Sequence, residues 1–200
     1  MRKLLLFPIL IVLCLVASCT KGGSSSTSSA TPVIDSLAQY RDTMVGNFNG
    51  SQIDTLICEP IDNLSTDSAY GGWHYLWKVY SAQGTVKDLI IDNTTGIHFT
   101  NMGDLDFDGA DEFGFVTEWP TSNWMNLRVY SYKNGNGRLL YEPQGIWLPH
   151  IEKEDDYYAG YCIKDLTTAY KPDSVKVKYS TVINDGEDFV VLDTILPILK

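Results

Sequence analysis

The sequence predicts an all-β fold, either an antiparallel sandwich or a set of partial propeller-like sheets. The chain of 200 residues contains 12 Tyr, 5 Trp and 16 Gly. Aromatic side chains favour the pleated surface of a sheet, and Gly supplies turns. From residue 33 onward apolar and polar residues mostly alternate, which is the period of a strand. With 44% hydrophobic and 20% charged residues, the chain can bury a core, so wholesale disorder is excluded.

Eight segments show this alternation and are predicted to be strands. In chain order they are 54–58, 73–80, 88–91, 97–102, 112–118, 127–132, 174–183 and 189–196. The sequence Asn-Asp-Gly-Glu at 184–187 predicts a hairpin turn between the last two. Only residues 34–41 have a briefly helical pattern, so little helix is expected.

The first residues have the pattern of a targeting segment. Arg2 and Lys3 precede a thirteen-residue apolar run at 4–16, which is too short to span a membrane as a helix. The run ends in Val-Ala-Ser-Cys, and this ending resembles the lipobox of bacterial lipoproteins. The resemblance implies a signal peptide at 1–18 and acylation of Cys19, which becomes the first residue of the mature chain.

A flexible linker is predicted directly after Cys19. The segment 19–32 is rich in Gly, Ser and Thr, and a single β-rich domain is expected at 33–200. Thr20, Lys21 and Gly22 lack the acidic run that resembles a surface-export tag in some lipoproteins. The lipobox resemblance therefore implies a lipid anchor in the outer membrane, and the periplasmic side is favoured over the cell surface.

Two cysteines remain as thiols in the expected mature domain, because Cys14 leaves with the signal peptide and Cys19 carries lipid. In an oxidising compartment Cys58 and Cys162 could form a disulfide. That bond would close a loop of about a hundred residues and stabilise the fold by about 4–5 kcal/mol in the chain-entropy model. The alternative is two separate thiols that act as small apolar residues. The sequence leaves both alternatives open.

Charge and motifs limit the function classes. A formal net charge of −10 argues against nucleic acid as a partner, since phosphate binding needs a basic surface. His74, His98 and His150 lack zinc spacing, and the chain has no nucleophile elbow and no phosphate loop. The sequence therefore predicts a protein that is not an enzyme.

The strongest chemical signal is the segment Gly-Asp-Leu-Asp-Phe-Asp-Gly-Ala-Asp-Glu at 103–112. Carboxylates at alternate positions followed by Gly place several oxygens around one centre, and Ca²⁺ takes six to eight oxygen ligands. The predicted ligands are the side chains of Asp104, Asp106, Asp108 and Glu112 and the carbonyl of Ala110. An EF-hand is disfavoured, because its twelfth loop position falls on Phe115.

A solvated acidic turn is the alternative interpretation, since Asp and Gly are common in turns. Five acidic groups between positions 104 and 112 repel one another unless a cation or protons intervene. This repulsion favours a bound cation. Its role is predicted to be structural, because no base or nucleophile is indicated beside it.

The loop resembles the FG-GAP or VCBS-type repeat, a strand-loop-strand calcium motif of β-propeller blades. A weaker copy, Gly-Asn-Phe-Asn-Gly, begins at position 46, and its loop starts 57 residues before the acidic one. Asn47 and Asn49 match the first two ligand positions, whereas Ser51 replaces the central Asp and Asp54 lies one residue early. The paired motifs look like those of small, uncharacterised envelope lipoproteins, and the resemblance implies a fold rather than an activity.

Two classes of function follow from these expectations. The first is a non-catalytic envelope module that binds a protein or a polymer. The second is a carbohydrate-binding module in which exposed Trp119, Trp124 and Trp147 act as stacking platforms. An envelope enzyme is a third and less favoured class. Exposure of the three Trp side chains distinguishes the first two classes.

Overall fold

The computed structural model describes residues 38–65, 74–119, 122–151 and 162–200. The predicted signal peptide at 1–18, Cys19 and the linker at 19–32 lie outside these residues. Within them the chain forms antiparallel strands and short 3₁₀ turns but no α-helix. The predicted all-β class is therefore confirmed. No helix in this part of the chain is long and apolar enough to cross a membrane.

The strands form three antiparallel sheets. The first sheet has the order β1-β2-β3-β4, formed by β1 (Asp42–Gly46), β2 (Asp54–Ser65), β3 (His74–Ser81) and β4 (Leu89–Thr94). The second is formed by β5 (Gly96–Gly103), β6 (Glu112–Glu118), β7 (Trp124–Ser131), β8 (Arg138–Leu139) and β9 (Gln144–Trp147), with both β8 and β9 paired to β7. The third contains β10 (Thr167–Lys171), β11 (Ser174–Ile183) and β12 (Asp188–Pro197).

Each of the eight predicted strands overlaps an observed one. The predicted hairpin turn is present as the 3₁₀ turn Asn184–Gly186 between β11 and β12, and Ala38–Tyr40 is a 3₁₀ turn within the segment of helical pattern. The described strands form three separate antiparallel sheets and close neither a barrel nor a propeller. Sequence periodicity missed β1, β8, β9 and β10, which have two to five residues and are too short for a clear alternation.

The second sheet is the middle layer of the domain. Phe113 and Phe115 pack with the buried side chains of the first sheet, such as Leu56 and Val79. Residues on the opposite face of the second sheet, such as Val116, pack with the third sheet. Six of the seven residues of β6 are consequently buried. This is why positions 113–116 of β6 are all apolar, as expected of a strand that is covered on both faces.

Cys58 and Cys162 are both free cysteines in the structure, as in the second of the two alternatives that the sequence leaves open. Cys58 lies on β2 and is buried in the core between the first two sheets, whereas Cys162 is exposed just before the 3₁₀ turn Ile163–Leu166. Burial, with a smaller effect of the charges of Asp42 and Glu59, raises the pKa of the Cys58 thiol to about 12. Cys58 acts as a small apolar residue.

Asp54 joins the start of β2 to the turn between β3 and β4. Its side chain is only 1% exposed, and it accepts hydrogen bonds from the Thr55 N–H and from the hydroxyls of Ser81 and Thr85. Burial alone would raise the pKa of Asp54, but these bonds and one from the Gln83 N–H outweigh burial and lower the pKa below its usual 3.8. The charged form is therefore the form that stabilises the fold.

We predict different labelling of the two cysteines. A maleimide at neutral pH should modify Cys162 in the folded protein and reach Cys58 only after unfolding, because the reactive species is an accessible thiolate. The protein is purified without a reductant, and peptide mapping by mass spectrometry then measures the extent of labelling at each cysteine. If neither thiol reacts in denaturant until a reductant is added, the two are paired and the structure is contradicted.

We predict that Asp54→Ala lowers the free energy of unfolding by about 2–3 kcal/mol, because several buried donors lose their acceptor. Urea unfolding at neutral pH measures the loss. Glu142→Ala, at an exposed position, is the control and should stay within about 0.5 kcal/mol. Because the folded pKa is the lower one, the Asp54 contribution is complete above pH about 4 and is lost as pH falls through the folded pKa. Equal unfolding curves for both variants would contradict this role.

Candidate metal centre

The acidic loop lies between β5 and β6 and folds around its own carboxylates. Asp104 accepts hydrogen bonds from the N–H groups of Asp108 at 3.1 Å and Gly109 at 3.0 Å. The Asp108 carboxylate accepts one from the Ala110 N–H at 2.9 Å. Gly109 has a φ of +85°, where a side chain would be strained, so the tight turn depends on this glycine.

The loop brings three of the predicted ligands together. Ligand oxygens of Asp104, Asp106 and Asp108 all lie within 4.8 Å of one another and could hold a metal ion. Oxygens that share one Ca²⁺ at 2.3–2.6 Å are separated by similar distances. The alternating spacing of the three residues in the sequence therefore predicts a real convergence of side chains.

Glu112 lies beneath the loop at the start of β6 and is not exposed at all. Its Oε2 accepts a hydrogen bond from the Leu105 N–H at 2.7 Å, whereas Oε1 has no hydrogen-bond partner. Burial raises the pKa of Glu112 to about 8, and the charges of Asp106 and Asp108 add to this effect. The hydrogen bond from the Leu105 N–H opposes this rise of the pKa. The fourth predicted ligand is thus a buried carboxylate that does not belong to the cluster of three and has one unsatisfied oxygen.

Two basic residues that sequence reasoning missed contact the loop. Arg138 donates from Nη2 to Asp106 Oδ2 at 3.0 Å. Lys133 Nζ donates to the carbonyl of Asp108 and lies 3.8 Å from its carboxylate. Burial and the charge of Asp108 raise the pKa of Asp106, while Arg138 opposes this rise. Both basic residues lie far from the loop in sequence, and only the pairing of β8 with β7 brings Arg138 to it.

The weaker motif copy follows β1 of the first sheet and is hydrogen-bonded to the acidic loop. The Asn47 N–H donates to Asp111 Oδ2 at 2.8 Å, and its side-chain amide donates to the Gly109 carbonyl at 3.0 Å. The Asp111 N–H in turn donates to the Asn47 carbonyl at 2.9 Å. Asn49 only closes its own turn, since its Oδ1 accepts from the Ser51 N–H. Among the residues described, this copy contributes no acidic cluster that could hold a second ion.

The three Trp side chains do not share one environment. Trp124 is 36% exposed and is the cross-strand partner of the half-buried Trp147. Trp147 stacks on Phe189 of β12 at 4.1 Å between ring centroids, so its ring packs the hairpin. Trp119 is 41% exposed and lines a cavity with residues of β4 and β7. Exposure therefore supports a ligand platform at Trp119 and Trp124 more than at Trp147.

The two histidines whose side chains are described make local polar contacts. His98 Nε2, on β5, lies 2.5 Å from Glu118 Oε1, on β6, and both side chains are partly exposed. His150 Nδ1 lies 2.7 Å from the hydroxyl of Ser180, and both residues are buried. In the described part of the chain, no histidine joins the carboxylate cluster.

The loop thus presents only oxygen ligands around one centre, which is the chemistry of a hard cation such as Ca²⁺ rather than of zinc or copper. Comparison of the chain with protein-family models, with curated proteins and with solved structures found no match.

Proposed function

We propose that the chain is a lipid-anchored, non-catalytic module of the bacterial cell envelope whose β fold is stabilised by one Ca²⁺ in the acidic loop. The observation that carries the ion is the cluster of Asp104, Asp106 and Asp108. Buried Glu112, which is hydrogen-bonded to the same loop at Leu105, adds an Oε1 that has no hydrogen-bond partner. The anchor is inferred from the lipobox resemblance at Cys19. The envelope class is supported by that resemblance together with the paired loop motifs.

A charge count favours a divalent ion. Asp104, Asp106, Asp108 and Glu112 carry four negative charges when ionised, and Arg138 and Lys133 supply two positive ones. With all four groups ionised, two negative charges remain in a partly buried site, where an uncompensated charge is costly, and burial instead favours a protonated Glu112 when no cation is bound. One Ca²⁺ would balance these two charges and favour the ionised form of Glu112.

The proposed ion stabilises the packing of sheets. Ion binding would fix the backbone of the loop, and this backbone is hydrogen-bonded through Gly109 and Asp111 to Asn47 at the end of the first sheet. The ion therefore acts on the contact between the first and second sheets. The described residues around the cluster include no nucleophile paired with a base, which supports a structural role.

A second candidate function is carbohydrate binding, favoured by the exposure of Trp119 and Trp124. Exposed indole rings stack on the apolar faces of sugar rings. The ion in the loop is compatible with this function, since the loop and Trp119 lie on different parts of the second sheet.

We predict that Ca²⁺ raises the melting temperature by several degrees. A ligand that binds only the folded state stabilises it by about 2.7 kcal/mol at a hundredfold excess over Kd. Thermal unfolding with excess EGTA and with millimolar Ca²⁺ measures the shift. Asp108→Ala should abolish it, because the variant removes one of the clustered carboxylates.

Two variants are matched controls for this shift. Arg138→Gln breaks the ion pair with Asp106 but keeps every carboxylate, so the Ca²⁺ shift should persist or increase. Asn49→Ala, in the weaker motif copy, should keep most of it. Superimposable melting curves of the wild type with EGTA and with Ca²⁺ would leave the solvated acidic turn as the correct interpretation.

We predict that Cys19 is acylated in the native envelope. Intact mass spectrometry of the membrane fraction should give a chain that begins at Cys19 and carries the mass of fatty acyl groups. Cys19→Ala should accumulate as an unprocessed precursor without that mass. A wild-type protein recovered in soluble form with no lipid mass would exclude the anchor.

A further inference from the structure

A cavity lies between the exposed edge strand of the first sheet and the middle layer. It has a volume of about 330 Å³ and is lined by residues of β4, β6 and β7, together with Trp119 just beyond β6. Ligand pockets in proteins range from about 300 to 1,000 Å³. The cavity therefore has the size for one ring-sized ligand.

Arg128 supplies the cavity with a positive charge that has no acidic partner. Its side chain is half-buried on β7 and donates only a long hydrogen bond of 3.4 Å, from Nη1 to Thr117 Oγ1. Among the described residues no carboxylate lies within ion-pair distance of it. A guanidinium presents a rigid fork of donors that matches a carboxylate in a bidentate manner. Arg128 thus offers an anion site inside the cavity.

Aromatic rings and one carboxylate also line the cavity. Phe115 and Tyr130 stack at 5.8 Å between ring centroids with 14° between the planes, and the exposed indole of Trp119 lies beside the same cavity. Asp92, on β4, also lines the cavity, is exposed and has no partner among the described residues. A carboxylate in this position accepts hydrogen bonds from hydroxyl groups.

We propose that this cavity binds a uronic acid residue, that is, a sugar ring that carries a carboxylate. The ligand carboxylate pairs with Arg128, a ring hydroxyl donates to Asp92, and the apolar face of the ring stacks on Trp119. A neutral sugar leaves the guanidinium without an anion, and inorganic phosphate offers no ring for the indole. The inference deepens the second candidate function and does not rest on the ion in the loop.

The experiment uses isothermal titration of the full-length lipoprotein in detergent with methyl glucuronide, with methyl glucoside as the matched neutral sugar. Methyl glucuronide should bind at least tenfold more tightly than methyl glucoside. Arg128→Gln should weaken glucuronide binding at least tenfold, and Trp119→Ala should weaken it as well. Tyr170→Ala, which removes an exposed aromatic ring on β10 away from this cavity, is the control that should bind like the wild type. Each variant's melting curve must match the wild type before its affinity is compared.

Three results would overturn the proposal. Equal affinities for the two sugars would mean that Arg128 does not bind the ligand carboxylate, although the carbohydrate-binding function would remain possible. Binding of benzoate or of an amino acid in place of glucuronide would show that the cavity takes a different carboxylate. No binding of any of these probes would remove the cavity as a sugar site, and the melting shift with Ca²⁺ would stay a separate question.

Discussion

The burial of the Glu112 carboxyl group at the start of β6 is the constraint on which the rest of the site depends. Glu112 begins a strand that both outer sheets cover, so its carboxylate lies away from water with one oxygen unsatisfied. Burying a carboxylate is tolerated when it is paired, protonated or bound to a metal. The loop directly above adds further acidic groups. The structure therefore concentrates negative charge at the point where its layers meet.

The contacts around this charge connect all three layers. Asn47 fastens the loop to the end of the first sheet through Asp111. Arg138, on β8, donates to Asp106 and also to the carbonyl of Leu199, which follows β12 of the third sheet. A change of charge or conformation in the loop is thus transmitted to both outer layers. This is the physical reason to expect an ion there to affect global stability.

The sequence allowed prediction of features whose residues are neighbours along the chain. Alternation located the long strands, and the spacing of Asp104, Asp106 and Asp108 predicted their convergence, because a tight loop brings alternate positions together. The roles of Lys133 and Arg138 depend on strand pairing and could not be read from spacing. Cys58 is buried as a free thiol in a core that two sheets form together, and no local pattern of the sequence predicts such burial.

The most direct test of the central claim is the anomalous scattering of a crystal grown with Ca²⁺. The account predicts one peak among the carboxylates of Asp104, Asp106 and Asp108, with oxygen distances of 2.3–2.6 Å and the Glu112 carboxylate beneath it. A well-ordered loop without an anomalous peak, in which Arg138 and Lys133 alone contact the carboxylates, would contradict it.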